Sequence, residues 1–221
     1  MRQGRHIFAA ALAHELRTPL TILKGRLHAL DDAVMVPSTG ECARLLQLVD
    51  QVLRSVEEVS LFTRAHSGEI SLDVRPIDLA LVVERAIADV QPIAQAAAVE
   101  IVGNTRTARG RGDFACLVQA VSILLRHLVD CTPSGGCLTV EVEVFPQPVL
   151  RITGAADQLL PGEDEDLLIP FSPADGRAGT KMTCAIGPAL AAAIVDAHGG
   201  TLAITAAAGG EGRVLQLTLA P

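Results

Sequence analysis

The stretch Phe8-Ala9-Ala10-Ala11-Leu12-Ala13-His14-Glu15-Leu16-Arg17-Thr18-Pro19-Leu20-Thr21 decides the fold. Leu12, Leu16, Leu20, Leu23, Leu27 and Leu30 recur at spacings of four and three, the pattern of a helix-bundle seam. A long helix from about Gly4 to about Leu30 is predicted. Pro19 falls inside it and removes a backbone donor, so a kink is expected about one turn after His14. His14 is two residues from both Leu12 and Leu16, about 200° of rotation either way, and so points away from the seam. Arg17 and Thr18, three and four residues on, share its face.

Asp31–Gly40, with Pro37, Ser38 and Gly40, lets the chain reverse. A second helix is predicted from about Glu41 to about Ala65, where Leu45, Val49, Val52, Val56 and Val59 keep the same spacing. Two such helices cannot bury both stripes against each other. Pairing of two hairpins into a homodimeric four-helix bundle is the natural solution; a monomeric hairpin packed on the rest of the chain is the alternative.

Beyond this, the pattern turns mixed. His66–Pro76 reads as a boundary and short strand, and Asp78 as the N-cap of a helix to about Ala97. Val99–Val102 is a strand, Gly110–Gly112 a turn, and Asp113–Asp130 a helix. Leu138–Val144 and Val149–Thr153 are strands, and Asp157–Met182 is mostly loop. Ile186–His198 is helical, and Thr201–Ala206 with Arg213–Leu219 form a final hairpin across Gly209, Gly210 and Gly212. The expected division is 1–67, a helical hairpin, and 68–221, an α/β sandwich with helices on one face of a sheet.

Composition narrows the function. With 49% hydrophobic residues and 19% charged, the 221-residue chain can bury a real core. It has no Trp or Tyr and five Phe, so stacking on nucleic-acid bases is poorly supplied. The net charge of -7 argues against nucleic-acid or acidic-lipid partners, although Arg2, Arg5, Arg17, Lys24 and Arg26 make the first thirty residues basic. Cys42, Cys116, Cys131, Cys137 and Cys184 form no CxxC pair, which suggests reduced thiols rather than a zinc site. No apolar run reaches the roughly 20 residues that span a bilayer. A cytoplasmic location without direct membrane contact is expected.

An exposed imidazole beside a cation, a hydroxyl and a carboxylate suits phosphoryl transfer. Neutral imidazole is a competent nucleophile near pH 7. Glu15 can accept its proton, Arg17 can favour the anionic phosphoryl group, and Thr18 can hold a water one turn away. Spacing alone favours an ordinary histidine on a solvated helix face.

The run His14-Glu15-Leu16-Arg17-Thr18-Pro19-Leu20-Thr21 is similar to the H-box of two-component sensor histidine kinases, and Phe8, Ala10, Leu12 and Ala13 also fit. The resemblance implies that His14 is the phosphoacceptor, Glu15 an assisting base and Thr18 a residue for phosphatase action on a response regulator. It covers nearly the whole chain. Asp113 with Leu117, Gln119, Ala120 and Val121, then Thr132-Pro133 and Gly135-Gly136, then Ile194–Gly200, resemble the family's Hsp90-like ATP-binding domain, and Phe171 resembles its F-box phenylalanine.

The match fails where the family's chemistry sits. N-box asparagines align with Ile123 and His127; isoleucine cannot ligate magnesium, and imidazole is a poor magnesium ligand beside oxygen donors. The G1-box aspartate aligns with Gly154, and its glycines with Ala156 and Gln158. Of the G2 glycines only Gly187 survives, next to Pro188, which lacks a backbone donor. Glu163, Asp164, Glu165 and Asp166 would repel a triphosphate, offset in part by Arg177 and Lys181.

The resemblance with these departures implies a histidine phosphotransferase or pseudokinase. His14 would pass a phosphoryl group between receiver-domain aspartates of response regulators, this chain would hold no cofactor, and the receiver would supply Mg2+. An ATP-dependent sensor kinase core, a response-regulator phosphatase and a non-catalytic regulator-binding module are the alternatives.

Overall fold

A computed structural model describes residues 2–34, 36, 38–66, 71–144, 146–154, 186–206 and 213–219. The chain divides into two compact units, Met1–Thr63 and Arg64–Pro221.

In the first unit, α1 (Arg2–Asp31) and α2 (Thr39–His66) form the expected hairpin. Pro19 lies inside α1 and is buried. Ser38 caps α2, its Oγ accepting from the Glu41 amide at 3.1 Å. Arg26 ties the two helices together: its guanidinium donates to both carboxylate oxygens of Glu41, at 2.7 and 2.8 Å, and Glu41 is buried. Much of the apolar stripe stays open in the single chain. Of the predicted stripes, Leu20, Leu27, Val49 and Val56 are exposed, while Leu45 and Val52 are half-buried; Leu46 and Leu53, one position along α2, are exposed as well, which leaves an apolar face for a further partner.

In the second unit, β1 (Arg75–Asp78) pairs antiparallel with β3 (Arg109–Gly112), which makes a strand of the segment expected to be a turn. The reason is local. Gly110 lies close to Pro148 and Leu219, and Gly112 close to Leu117 and His198, so small residues let the ribbon lie flat on the sandwich. The main sheet has the order β2-β4-β5-β7-β6, from β2 (Glu100–Thr105), β4 (Cys137–Val144), β5 (Pro148–Gly154), β6 (Thr201–Ala206) and β7 (Arg213–Thr218). Only β2 and β4 run parallel; the other pairs are antiparallel.

The sheet's inner face follows from alternation. Val142, Leu150 and Leu217 sit opposite one another across three strands, as do Val140, Ile152 and Leu215, and all are buried. Against this face pack α3 (Leu79–Ala96), α4 (Phe114–Cys131) and α5 (Ile186–Ala197). Asp78 caps α3, accepting from Ala80 N–H at 3.0 Å and from Ala108 N–H at 2.9 Å. α4 is long and apolar enough to cross a membrane by length and composition. Its hydrophobicity has another destination here, since Leu117, Val121, Leu124, Leu125 and Leu128 are buried in the sandwich core. Each such side chain contributes on the order of 1.5–3 kcal/mol.

Candidate functional site

His14 lies in the middle of α1, so its backbone is helical as expected. Its side chain and that of Glu15 lie outside the described residues, and so does the direction of the ring. Around them the face is defined from one turn on: Arg17 and Thr18 are exposed, Leu16 is half-buried and Pro19 is buried. Helical geometry puts residues three and four apart side by side, so Arg17 and Thr18 share a face of α1 with position 14. Leu16, Arg17, Leu20, Thr21 and Lys24 line a shallow groove of about 480 Å³ with two cations on its rim.

The corresponding nucleotide region of the second unit is built differently from an oxygen-donor site. Ile123 is buried on α4, and its Cγ2 lies where a Cβ on Gly187 would meet it at 3.1 Å. A buried methyl group therefore fills the position where an N-box asparagine was expected. His127, one turn further along α4, is half-buried, and burial lowers its pKa to about 4, so it is neutral at pH 7. Its Nε2 lies 3.9 Å from Cys131 Sγ. These side chains supply neither a charge nor an oxygen to a magnesium–triphosphate group, and on this half of the site the residues do not fit one. Gly154 ends β5, paired with Leu138. Gly187 and Pro188 are buried in the first turn of α5, where a missing N–H breaks no helical bond. Ala156, Gln158, Glu163–Asp166, Phe171, Arg177, Lys181 and Cys184 lie outside the described residues.

Two interactions were not foreseen from the sequence. One is the Arg26–Glu41 pair. The other is a corner where His198, expected only to end a helix, bonds to Asp113. Asp113, read from the sequence as the start of a helix, is the cap of α4, accepting from Cys116 N–H at 3.1 Å, and also accepts from Asp73 N–H at 3.0 Å. Burial pushes its carboxyl upward, but the backbone bonds from Cys116, Asp73 and Ala115 outweigh this and leave its pKa below the ordinary value.

Comparison with known proteins bears on both units. Residues 5–68 match the His Kinase A (phospho-acceptor) domain family. The chain is 29% identical over 220 residues to the sensor protein CutS of Streptomyces coelicolor, covering 96% of this chain and 52% of that protein. It is 27% identical over 209 residues to the signal transduction histidine-protein kinase BaeS of Escherichia coli, covering 91% and 44%. The chain thus spans about half the length of the curated relatives it matches. Its fold resembles that of the Acinetobacter baumannii histidine kinase AdeS, with a TM-score of 0.73 at 24% identity over 94% of this chain and 97% of that one. These likenesses support the two-component histidine kinase family, with a phospho-acceptor hairpin followed by an α/β sandwich like those of histidine kinase catalytic domains.

Proposed function

We propose that this chain is a histidine-kinase core of a two-component system in which His14 carries the phosphoryl group and a response-regulator receiver is the exchange partner. The observation that carries the reading is the phospho-acceptor match over residues 5–68, with Arg17 and Thr18 exposed one turn beyond position 14. A solved complex of a related fold, histidine kinase ThkA with the response regulator TrrA, supports a receiver as the partner; it has a TM-score of 0.66 and covers 99% of this chain and 63% of that one. The open apolar stripe on α1 and α2 supports a homodimer.

On this reading one ring nitrogen of His14 attacks the phosphorus of the receiver's aspartyl phosphate. The N–P bond forms as the acyl O–P bond breaks, and the aspartate leaves as carboxylate. The proton on the other ring nitrogen passes to Glu15, and Arg17 offsets the phosphoryl charge. A second receiver aspartate takes the group in the reverse step, and Thr18 serves hydrolysis. The receiver supplies its own Mg2+.

The source of the phosphoryl group divides two readings. Transfer from a receiver, without ATP, rests on the buried Ile123 and the neutral His127 in the N-box positions. An ATP-dependent sensor kinase core is the reading the comparisons favour, because the similar proteins are named as sensor kinases; nothing in them supports a relay-only role. Radiolabelled ATP and a labelled phospho-receiver, offered separately, decide between them. Label on His14 from ATP, lost in His14→Ala, establishes the kinase. Label from the receiver alone establishes the relay. Loss of receiver label without transfer, slowed in Thr18→Ala, indicates a phosphatase. If His14→Ala changes none of these fluxes, the assignment of His14 fails.

A further inference from the structure

We propose that His198 is a proton-operated latch joining the C-terminal end of α5 to the N-terminal end of α4. Nε2 of His198 accepts from the Asp113 backbone N–H at 3.0 Å, so this nitrogen carries no proton. The proton then sits on Nδ1, which donates to the Ile194 carbonyl at 2.7 Å. One imidazole thus spans two helix ends, and only its neutral form with Nδ1 protonated can make both bonds.

The position it holds is a junction. Asp113 caps α4 through Cys116 N–H and takes the Asp73 N–H on its other oxygen. Asp73 in turn holds Arg75 at the start of β1, Nε to Oδ1 at 2.9 Å. The ring is packed closely against β3: a Cβ at Gly112 would lie 3.1 Å from its Cδ2. Protonation would set an Nε2–H against the Asp113 N–H at 3.0 Å, which exchanges a bond for two opposed donors. Imidazole is the side chain whose ordinary titration falls between pH 5 and 8. Among the described residues, the elements meeting here carry Asp113 at the α4 cap, Arg126, His127 and Asp130 further along α4, Asp196 on α5, Asp73 before β1, Arg75 and Asp78 on β1, and Arg109 and Arg111 on β3.

The consequence is a domain whose α5 is released from the α4 cap when His198 takes up a second proton, independently of how His14 is loaded. The test is NMR on the full chain between pH 8 and 5, following the His198 ring nitrogens and hydrogen exchange of the Asp113 amide. The latch predicts that exchange protection of this amide, corrected for intrinsic rates, falls about tenfold as Nε2 titrates, the factor one net hydrogen bond contributes. In His198→Gln, which keeps an acceptor and cannot titrate, protection is flat with pH. Unchanged Asp113 protection while Nε2 protonates would overturn the proposal, as would a wild-type Nε2 already protonated at pH 8. Should His198→Gln not fold, the wild-type titration decides alone.

Discussion

Acid should destabilise the second unit through His127 by an amount that can be worked out beforehand. Burial holds the ring at a pKa of about 4 against an ordinary 6.5. The unfolded chain therefore binds a proton that the folded one refuses as pH falls below 6.5. A depressed histidine gives no penalty at neutral pH, a growing loss of stability between 6.5 and 4, and a constant one below 4. The shift corresponds to about 0.8 kcal/mol at pH 6 and about 2 kcal/mol at pH 5, levelling near roughly 3 kcal/mol. In His127→Asn the loss disappears, because nothing at that position titrates. Urea unfolding of both proteins at pH 7.5, 6 and 5 measures it, read by far-ultraviolet dichroism because the chain has no Trp or Tyr. The difference between the two pH profiles cancels contributions from Asp113 and His198, and any constant packing cost of the shorter side chain. Parallel profiles, or an NMR-measured His127 pKa near 6.5, would refute the reasoning.

Further outcomes follow from other contacts. Arg26→Ala strands the buried Glu41 carboxylate and should lower hairpin stability by about 1–3 kcal/mol; a double-mutant cycle with Glu41→Ala should show coupling, and strict additivity would refute the link. Gly112→Ala places a Cβ 2.6 Å from Leu117 Cδ1 and 3.1 Å from the His198 ring, so a loss of about 1–3 kcal/mol is expected in thermal or urea unfolding. Leu27→Glu and Leu53→Glu, at exposed apolar positions of α1 and α2, should shift sedimentation from dimer to monomer; retained dimer would show that this stripe is not the self-association surface. Calorimetry with Mg-ATP should show no binding in the micromolar range, since neither Ile123 nor His127 offers an oxygen ligand; clear micromolar binding would favour the ATP-dependent reading.

Periodicity carried most of the fold. The helices were legible because their apolar residues repeat at helical spacing, and Asp78 announced its cap by standing just before an apolar run. Strands β4 and β5 were legible from alternation. β3 was not, because Arg109-Gly110-Arg111-Gly112 has turn composition, and its pairing with β1 depends on close packing that only the three-dimensional neighbours reveal. At the site, the motif around His14 was local and readable as a string. The Arg26–Glu41 and Asp113–His198 partners are 15 and 85 residues apart in sequence. No periodicity encodes such pairings, and the loss of N-box chemistry was readable only against the family's pattern of asparagines, not from α4's own apolar spacing.

Strand β7 is the last of the described strands in chain order, yet it lies inside the sheet between β5 and β6. During synthesis, then, β6 has emerged while the neighbour that completes its ladder is still being added, and β5 exposes the edge that β7 will later cover. A growing chain passes through a stage with two open hydrogen-bonding rims, the state in which stray strands add on. Nonsense variants that stop before Arg213 should therefore be lost to aggregation or proteolysis, rather than persist as slightly shortened proteins.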